Sequence, residues 1–222
     1  MRLPRVGVMF SGCGFLDGSE IHEAVLTLLF LDREGIKTVC IAPGINQSEV
    51  IDHLTKKAAV ETRNVLVEAS RLARGDIKDV KDTGAKDLDA LIFPGGYGAI
   101  KNICDFARIK SIDCVVNPEV ERLTKEMHQA KKPLGFICIA PVIAAKVLGS
   151  FHPKLTIGSD KAVTSALIEM GARHKMCTVD EIAVDEKNKI VSTPAYMLGS
   201  SISCVAAGIE KLVLKVLEMI ER

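Results

Sequence analysis

The stretch Leu134–Gly149, which reads LGFICIAPVIAAKVLG, decides the fold because it joins a buried strand to a helix. Leu134 to Ile137 is a short apolar run, which is typical of a buried strand. Pro141 suits the first position of a helix, where its missing N–H would be unpaired in any case, and Gly149 is a typical helix stop. The stretch therefore predicts a strand-turn-helix elbow with Cys138 at the turn.

Cys138 is the candidate nucleophile of this elbow. Backbone N–H groups at the start of the following helix, together with the positive end of the helix dipole, favour a thiolate over a thiol. We therefore expect the pKa of Cys138 to lie below that of an ordinary cysteine. The alternative is a packing role, since free cysteine is among the most buried residue types.

The composition is that of a single α/β domain, which we place at residues 1–222. The 222 residues are 48% hydrophobic, which is enough for one sizeable core. The 29 Lys and Arg residues nearly balance the 28 Asp and Glu residues, and the short basic pairs are interleaved with acids. Nucleic acid is therefore not an expected partner.

The cysteine pattern and the terminal segments bear on location. Seven cysteines without a C-x-x-C pair argue against a disulfide scaffold or a zinc ribbon, and they indicate a reducing compartment. The opening MRLPRVGVMF runs straight into a strand-like segment and has no cleavage site of a secretory signal peptide. The uncharged segment 190–209 is too polar and too broken for a membrane span. These features predict a cytoplasmic protein without a membrane partner or a metal site.

The first predicted βα unit carries a second candidate residue, Glu23. The apolar run Val6–Phe10 ends in the loop SGCG, and Asp17 with Glu20 three residues later fits a capping box for a helix that runs to Glu34. This helix is apolar on two sides, and Glu23 lies on the second side, where it faces an interior or a cleft. The alternative is an ordinary first-turn acid favoured by the helix dipole.

A dinucleotide site is not expected, although the second strand, Lys37–Ala42, completes a βαβ unit. Parallel pairing in such a unit implies a sheet with helices on both faces. Gly12, Gly14 and Gly18 are spaced one residue too far apart for the fingerprint, and the second strand ends without an acid for the ribose. No GxxxxGK[ST] motif occurs either, so we expect no nucleotide cofactor.

Two further segments complete the predicted layout. The stretch Thr62–Arg74 predicts a helix stopped by Gly75. Leu88–Phe93 predicts a buried strand, and it ends in Pro94-Gly95-Gly96-Tyr97-Gly98 before another helix begins. A Gly-rich strand-to-helix turn of this kind places backbone N–H groups at the carboxyl edge of the sheet.

Three motifs together resemble one family: SGCGFLDGSEIHEA with Glu23, IFPGGYGAIKN with Gly95 and Gly96, and GFICIAP with Cys138. They are similar to the PfpI-type branch of the class I glutamine-amidotransferase-like superfamily. Within that branch, the strings HEAVLTLL, TRNVLVEASRLARG, EMHQAKKPLGFICIAP and DEKNKIVSTPAYM resemble the ElbB group, the isoprenoid-biosynthesis glyoxalases, along nearly the whole chain.

The resemblance implies a flavodoxin-like three-layer sandwich with a mostly parallel central sheet. It implies a nucleophile at Cys138, an acid within hydrogen-bond reach at Glu23, and oxyanion donors from the backbone N–H groups of Gly96 and Ile139. It also implies a homodimer and a cofactor-independent conversion of a small 2-oxoaldehyde, such as methylglyoxal, to a 2-hydroxy acid at a low rate. The further residues expected around the pocket are Cys13, Gly14, Gly95 and Tyr97.

One departure from the superfamily keeps a second function open. Many members carry a histidine about twenty residues after the nucleophile, where this chain has Leu155-Thr-Ile-Gly158-Ser-Asp160. This departure argues against an amidase triad. It leaves as alternatives a thiol sensor, with Cys13 as a resolving thiol, or a binding scaffold that keeps the pocket, and after these a deglycase or an amidase. His22 adjoins Glu23, but successive helix positions point about 100° apart, so it need not enter the same pocket.

Overall fold

Strands and helices alternate along most of the chain, of which a computed structural model describes residues 3–220. In chain order, the strands are β1 (Arg5–Met9), β2 (Lys37–Ala42), β3 (Ile51–Asp52), β4 (Lys57–Ala58), β5 (Lys78–Asp79), β6 (Ala90–Phe93), β7 (Leu134–Ile137), β8 (Lys154–Leu155), β9 (Arg173–His174), β10 (Ala183–Asp185) and β11 (Ile190–Thr193). The α-helices are α1 (Ile21–Arg33), α2 (Val65–Ala69), α3 (Gly98–Lys101), α4 (Phe106–Ile109), α5 (Pro118–Gln129), α6 (Pro141–Leu148), α7 (Lys161–Glu169) and α8 (Ile202–Glu218).

A seven-stranded sheet of order β10-β11-β7-β6-β1-β2-β5 forms the middle layer. All its neighbouring strands pair in parallel except β10 and β11, which form an antiparallel hairpin. The chain moves from β1 to β2 in one direction along the sheet and from β6 to β7 in the other. A ligand crevice is expected outside the carboxyl ends of the strands where the direction reverses, between β1 and β6.

Two pairs of helices supply the outer layers. Helix α1 packs on α8, which also lies against β7 and β11, while α5 and α6 pack on each other. Because right-handed crossovers that run in opposite directions place their helices on opposite faces, these pairs cover the two sides of the sheet. The predicted flavodoxin-like three-layer sandwich is confirmed. No helix within residues 3–220 is long and apolar enough to cross a membrane.

The core is most apolar where β6 and β7 lie side by side. Both strands are fully buried, and the rings of Phe93 and Phe136 stack with their centroids 4.8 Å apart. A central parallel strand is buried on both faces of the sheet, so it consists of a continuous run of apolar residues. This packing fixes the carboxyl ends of the two strands from which the Gly95 loop and the Cys138 elbow emerge.

Two predicted helix features are wrong. The N-cap of α1 is Glu20, whose carboxylate accepts a hydrogen bond from the Glu23 N–H, whereas Asp17 accepts from the Ile51 N–H. The long helix predicted for residues 62–74 is only α2, because Asn64 caps it and the chain after Ala69 continues in turns. Asn64 also forms an antiparallel bridge with Asn46 in the loop after β2, and helix periodicity carries no signal for such a tertiary contact.

We expect Phe136→Ala to lower the free energy of unfolding by about 3–5 kcal/mol, because it removes a buried ring and leaves a cavity beside Phe93. Urea unfolding followed by circular dichroism measures the change. Leu54→Ala, at a side chain that is 92% exposed, is the control and should change stability by no more than about 0.5 kcal/mol. Equal unfolding curves for the two variants would contradict the packing described for β7.

Candidate active site

Cys138 lies at the turn between β7 and α6, as the sequence predicts. Its φ angle is +60°, a left-handed conformation that costs a non-glycine residue about 1–3 kcal/mol. The turn is held because the Cys138 N–H donates to the carbonyl oxygen of Thr193 at 2.9 Å, and α6 begins at Pro141. The conformation leaves the side chain 8% exposed, at the floor of a cavity.

Glu23 is fully buried and lies against Cys138. One carboxyl oxygen, Oε2, accepts a hydrogen bond from the Gly95 N–H at 2.8 Å, and the other, Oε1, accepts from the Tyr196 N–H at 3.3 Å. The side chain also forms a hydrogen bond with the Cys138 thiol. Glu23 lies in the first turn of α1, but it is buried, so the interior position predicted for it is confirmed.

Burial, helped by the nearby charge of Glu20, raises the pKa of Glu23 to about 8. The two backbone N–H groups on its oxygens favour the carboxylate, but they do not offset the loss of solvent. The carboxyl group is therefore largely protonated at neutral pH. A protonated carboxyl donates a hydrogen bond through its O–H, which a carboxylate cannot do.

The lowered pKa predicted for Cys138 is wrong. Burial raises the pKa of this thiol, and the charge of an ionised Glu23 raises it further. The N–H groups of Gly96 and Ile139, which hydrogen-bond the sulfur, act in the opposite direction but are outweighed. The sequence shows that a helix begins after Cys138, but it does not show how deeply the thiol is buried or that a carboxyl group lies beside it. Protonation of Glu23 removes one of these two unfavourable contributions.

The loop at Gly95 and Gly96 needs both glycines because of its close contacts. A Cβ atom on Gly95 would lie 2.5 Å from the Cβ of Cys138 and 2.7 Å from Oε2 of Glu23. Gly96 has a φ angle of +92°, and a Cβ there would lie 2.3 Å from the backbone nitrogen of Glu20. The loop can therefore approach the thiol closely enough for the Gly96 N–H to reach the sulfur.

A cavity of about 980 Å³ opens above the sulfur. Its walls are mainly apolar, and charged groups lie around the mouth. The lining residues are Phe15, Glu20, His22, Gly96, Tyr97, Ile100, Lys101, Phe106, Ala107, Lys110, Cys138, Ile139, Asp160, Ala162, Val163, Tyr196 and Met197. The cavity therefore holds the thiol, both predicted oxyanion donors and Tyr97 together.

Three of the predicted pocket residues do not line this cavity. Gly95 lies beneath it, between Glu23 and Cys138. Gly14 forms a turn with Gly18 and faces His53 rather than the cavity. A Cβ atom on Gly14 would lie 2.7 Å from a ring nitrogen of His53. The charged neighbours of Cys13 are Glu68, Arg71 and Asp17, and burial raises the pKa of this thiol.

Two further residues, His22 and Tyr196, lie together at the cavity mouth, although helix geometry gave no reason to expect His22 there. The Nδ1 atom of His22 lies 2.8 Å from the hydroxyl oxygen of Tyr196, and both side chains line the cavity. Among the cavity-lining residues that the structure describes, His22 is the one histidine. Only the long-range contact between α1 and the turn after β11 brings it there, so its position next to Glu23 in sequence gave no usable signal.

Comparison with known proteins identifies the family. The chain is 45% identical over 225 residues to the Homo sapiens "Glutamine amidotransferase-like class 1 domain-containing protein 3, mitochondrial", with 97% of this chain and 83% of the relative covered. The chain belongs to the glutamine amidotransferase-like class 1 family. The Rattus norvegicus "ES1 protein homolog, mitochondrial" is 44% identical over 225 residues, with 97% and 84% covered. No protein-family model matches the chain.

Solved structures agree with the family and the fold. A crystal structure of an isoprenoid biosynthesis protein with an amidotransferase-like domain from Ehrlichia chaffeensis superposes with a TM-score of 0.89 at 36% identity, covering 96% of this chain and 99% of that one. A DJ-1 variant from Schizosaccharomyces pombe superposes with a TM-score of 0.60 at 17% identity, covering 98% and 92%, which shows a shared fold alone.

The cytoplasmic location predicted from the sequence is wrong. The relatives from Homo sapiens, Rattus norvegicus and Danio rerio are all named mitochondrial proteins, and these names point to mitochondria. The prediction rested on free cysteines and on the lack of a secretory cleavage site or a membrane span, and these features do not single out one compartment within the cell.

We expect the raised pKa of Glu23 to make stability fall with pH. The folded protein keeps a proton on Glu23 up to about pH 8, whereas the unfolded chain releases it near the ordinary value of 4.5. Its stabilising contribution is therefore complete below about pH 4.5 and is lost as the pH rises through about 8. Over this window, the free energy of unfolding of the parent should fall by on the order of a few kcal/mol, and that of Glu23→Gln should not show this fall.

Urea unfolding at a series of pH values measures this difference. Glu210→Gln on the exposed side of α8 makes the same chemical change away from the cavity and should keep the parent's pH dependence. A Glu23→Gln variant with the same slope as the parent would show that Glu23 is not protonated in the folded state.

Proposed function

We propose that within its family the chain belongs to the ElbB group, and that it is a cofactor-independent glyoxalase using Cys138 and Glu23. The 36% identical Ehrlichia chaffeensis structure supports this assignment. One observation carries the proposed chemistry: a buried carboxyl with a pKa of about 8 is hydrogen-bonded to a thiol at the floor of a cavity. A general acid-base group works best when its pKa lies near the operating pH.

The first step is addition of the Cys138 sulfur to the aldehyde carbon of a 2-oxoaldehyde. Glu23 loses its proton near pH 8, whereas the pKa of the Cys138 thiol is raised further by burial, so the thiolate forms when the thiol passes its proton to the Glu23 carboxylate. In the form with the remaining proton on Glu23, the sulfur is a thiolate and can attack. The hemithioacetal oxyanion then lies within reach of the N–H groups of Gly96 and Ile139 and takes the Glu23 proton.

The second step moves one proton between neighbouring carbons and one between their oxygens. Glu23, now a carboxylate, removes the proton from the former aldehyde carbon while the ketone oxygen gains a proton, which gives an enediol. Glu23 then returns its proton to the former ketone carbon as the hydroxyl on the former aldehyde carbon releases its own proton. The product is a 2-hydroxyacyl thioester on Cys138. Water then adds to the thioester with Glu23 as the base, which releases the 2-hydroxy acid and the thiol. The sum is the addition of one water molecule, so no external oxidant or reductant takes part.

His22 and Tyr196 supply the proton donor for the ketone oxygen. Because Glu23 is buried beneath the sulfur, the far end of a bound 2-oxoaldehyde faces the cavity and its hydrogen-bonded pair. The Tyr196 hydroxyl gives its proton to the ketone oxygen as the enediol forms and takes one back from the other enediol hydroxyl as the thioester forms, while His22 holds the Tyr196 hydroxyl in place. This pair takes over the proton work of the histidine that is absent after Cys138.

The same observations favour turnover over thiol sensing. Oxidation follows thiolate character and exposure, whereas Cys138 is 8% exposed and its pKa is raised by burial. Cys13, the proposed resolving thiol, is not among the described residues that line the cavity. The homodimer and the small aldehyde partner implied by the resemblance stay predictions.

We expect purified protein to convert methylglyoxal to lactate without an added cofactor, with a rate that rises with pH up to about 8. Cys138→Ala should abolish the activity. Glu23→Gln keeps the size and hydrogen-bonding capacity of the side chain but cannot take a proton, so turnover should fall by roughly 10²-fold or more. Lactate formation followed at each pH gives both the rate and the profile.

Glu210→Gln and Cys204→Ala, at exposed sites on α8, are the matched controls and should keep the parent rate. Equal turnover in Glu23→Gln and Glu210→Gln would remove the proposed role of Glu23. Activity that survives Cys138→Ala would rule out the thioester route.

A further inference from the structure

A second cluster of reactive side chains lies outside the proposed chemistry. Cys104 follows α3, and Cys114 follows the turn after α4, so two separate segments bring their thiols together. The sulfurs of Cys104 and Cys114 and a carboxylate oxygen of Asp105 all lie within 4.8 Å of one another. The two thiols are 2% and 0% exposed, and they hydrogen-bond each other.

The backbone holds the two segments in register at this point. Cys104 and Val116 form an antiparallel bridge, and the Asp105 N–H donates to the Val115 carbonyl oxygen at 3.1 Å. The Val115 N–H in turn donates to Oδ1 of Asp105 at 2.6 Å. The three side chains are therefore fixed at the neck of a closed loop and converge without any rearrangement of the chain.

This donor set matches the preferences of zinc. Zn²⁺ favours thiolate, imidazole and carboxylate ligands in a tetrahedron, and with Zn–S bonds of about 2.3 Å two ligating sulfurs lie about 3.8 Å apart. That separation is shorter than the 4.8 Å within which the two sulfurs already lie. Asp105 is 27% exposed, so water can reach the cluster from its side and complete the fourth position.

The charges around the cluster suit such an ion. Two thiolates, one carboxylate and Zn²⁺ would leave a net charge of −1. Arg108 donates to Oδ2 of Asp105 at 2.7 Å, and Lys146 is a charged neighbour of Cys114. These two cations offset the remaining negative charge, and each oxygen of Asp105 keeps a second lone pair for a metal.

We propose that Cys104, Asp105 and Cys114 form a binding site for a thiophilic divalent cation of the Zn²⁺ type. The site ties the end of α3 to the turn that follows α4. Since Phe106 and Ala107 on α4 line the cavity, a bound ion stiffens one wall of the candidate active site. The site does not depend on the glyoxalase chemistry, and it stands as an alternative to the prediction that the chain has no metal site.

The test is titration of the reduced, metal-free protein with Co²⁺, followed by competition with Zn²⁺. We expect one equivalent of Co²⁺ to produce a thiolate-to-cobalt charge-transfer absorption that Zn²⁺ abolishes. Cys104→Ser and Cys114→Ser should lose this absorption. Cys177→Ser, which removes a buried thiol elsewhere in the fold, is the matched control and should keep it.

A second measurement uses the unaltered protein, because a serine at a buried site could prevent folding. Zn²⁺ should slow the modification of Cys104 and Cys114 by N-ethylmaleimide, as mapped by peptide mass spectrometry, and leave that of Cys177 unchanged. Absence of the charge-transfer absorption, or equal modification with and without Zn²⁺, would overturn the proposal. A Cys104–Cys114 disulfide in protein isolated without reductant would also overturn it, in favour of a covalent link.

Discussion

The hydrogen-bonded contact between the buried carboxyl of Glu23 and the thiol of Cys138 is the constraint on which the site depends. A carboxyl group in this position must either lose its charge or be compensated by donors, since an isolated buried ion is very costly. The N–H groups of Gly95 and Tyr196 compensate in part, and protonation does the rest. The glycine loop, the turn after β11 and the strained conformation of Cys138 all serve this one contact.

The arrangement follows from the sheet topology. The loops after β6, β7 and β11 leave neighbouring parallel strands at one edge of the sheet, and the first turn of α1 brings Glu23 to them. Stacked aromatic rings in β6 and β7 hold two of these strand ends in place. The strain at Cys138 persists because the strand before it and the helix after it are buried and rigid, so no local relaxation is available.

Much of this could be predicted from residues that act locally. The apolar run before Cys138 and the proline after it define the elbow, and the paired glycines after β6 define a loop of close approach. The side of α1 on which Glu23 lies also follows from helix periodicity. These signals are local, so they survive without knowledge of the tertiary contacts.

What could not be predicted depends on contacts between distant segments. The sign of the Cys138 pKa shift required the depth of burial and the charge beside it, and helix position alone gave the wrong sign. The pairing of His22 with Tyr196 spans 174 residues. The cluster of Cys104 and Cys114 has no recognisable spacing, because the turn after α4 brings the second thiol back.

The most direct test is carbon-13 NMR of protein labelled at the glutamate side-chain carboxyl. The account predicts one carboxyl resonance that titrates with a midpoint near pH 8 and is absent from Glu23→Gln. That resonance should keep the chemical shift of a protonated acid at neutral pH. If every glutamate resonance, including the one lost in Glu23→Gln, titrates at or below about pH 5, then Glu23 is ionised beside Cys138 and the account is contradicted.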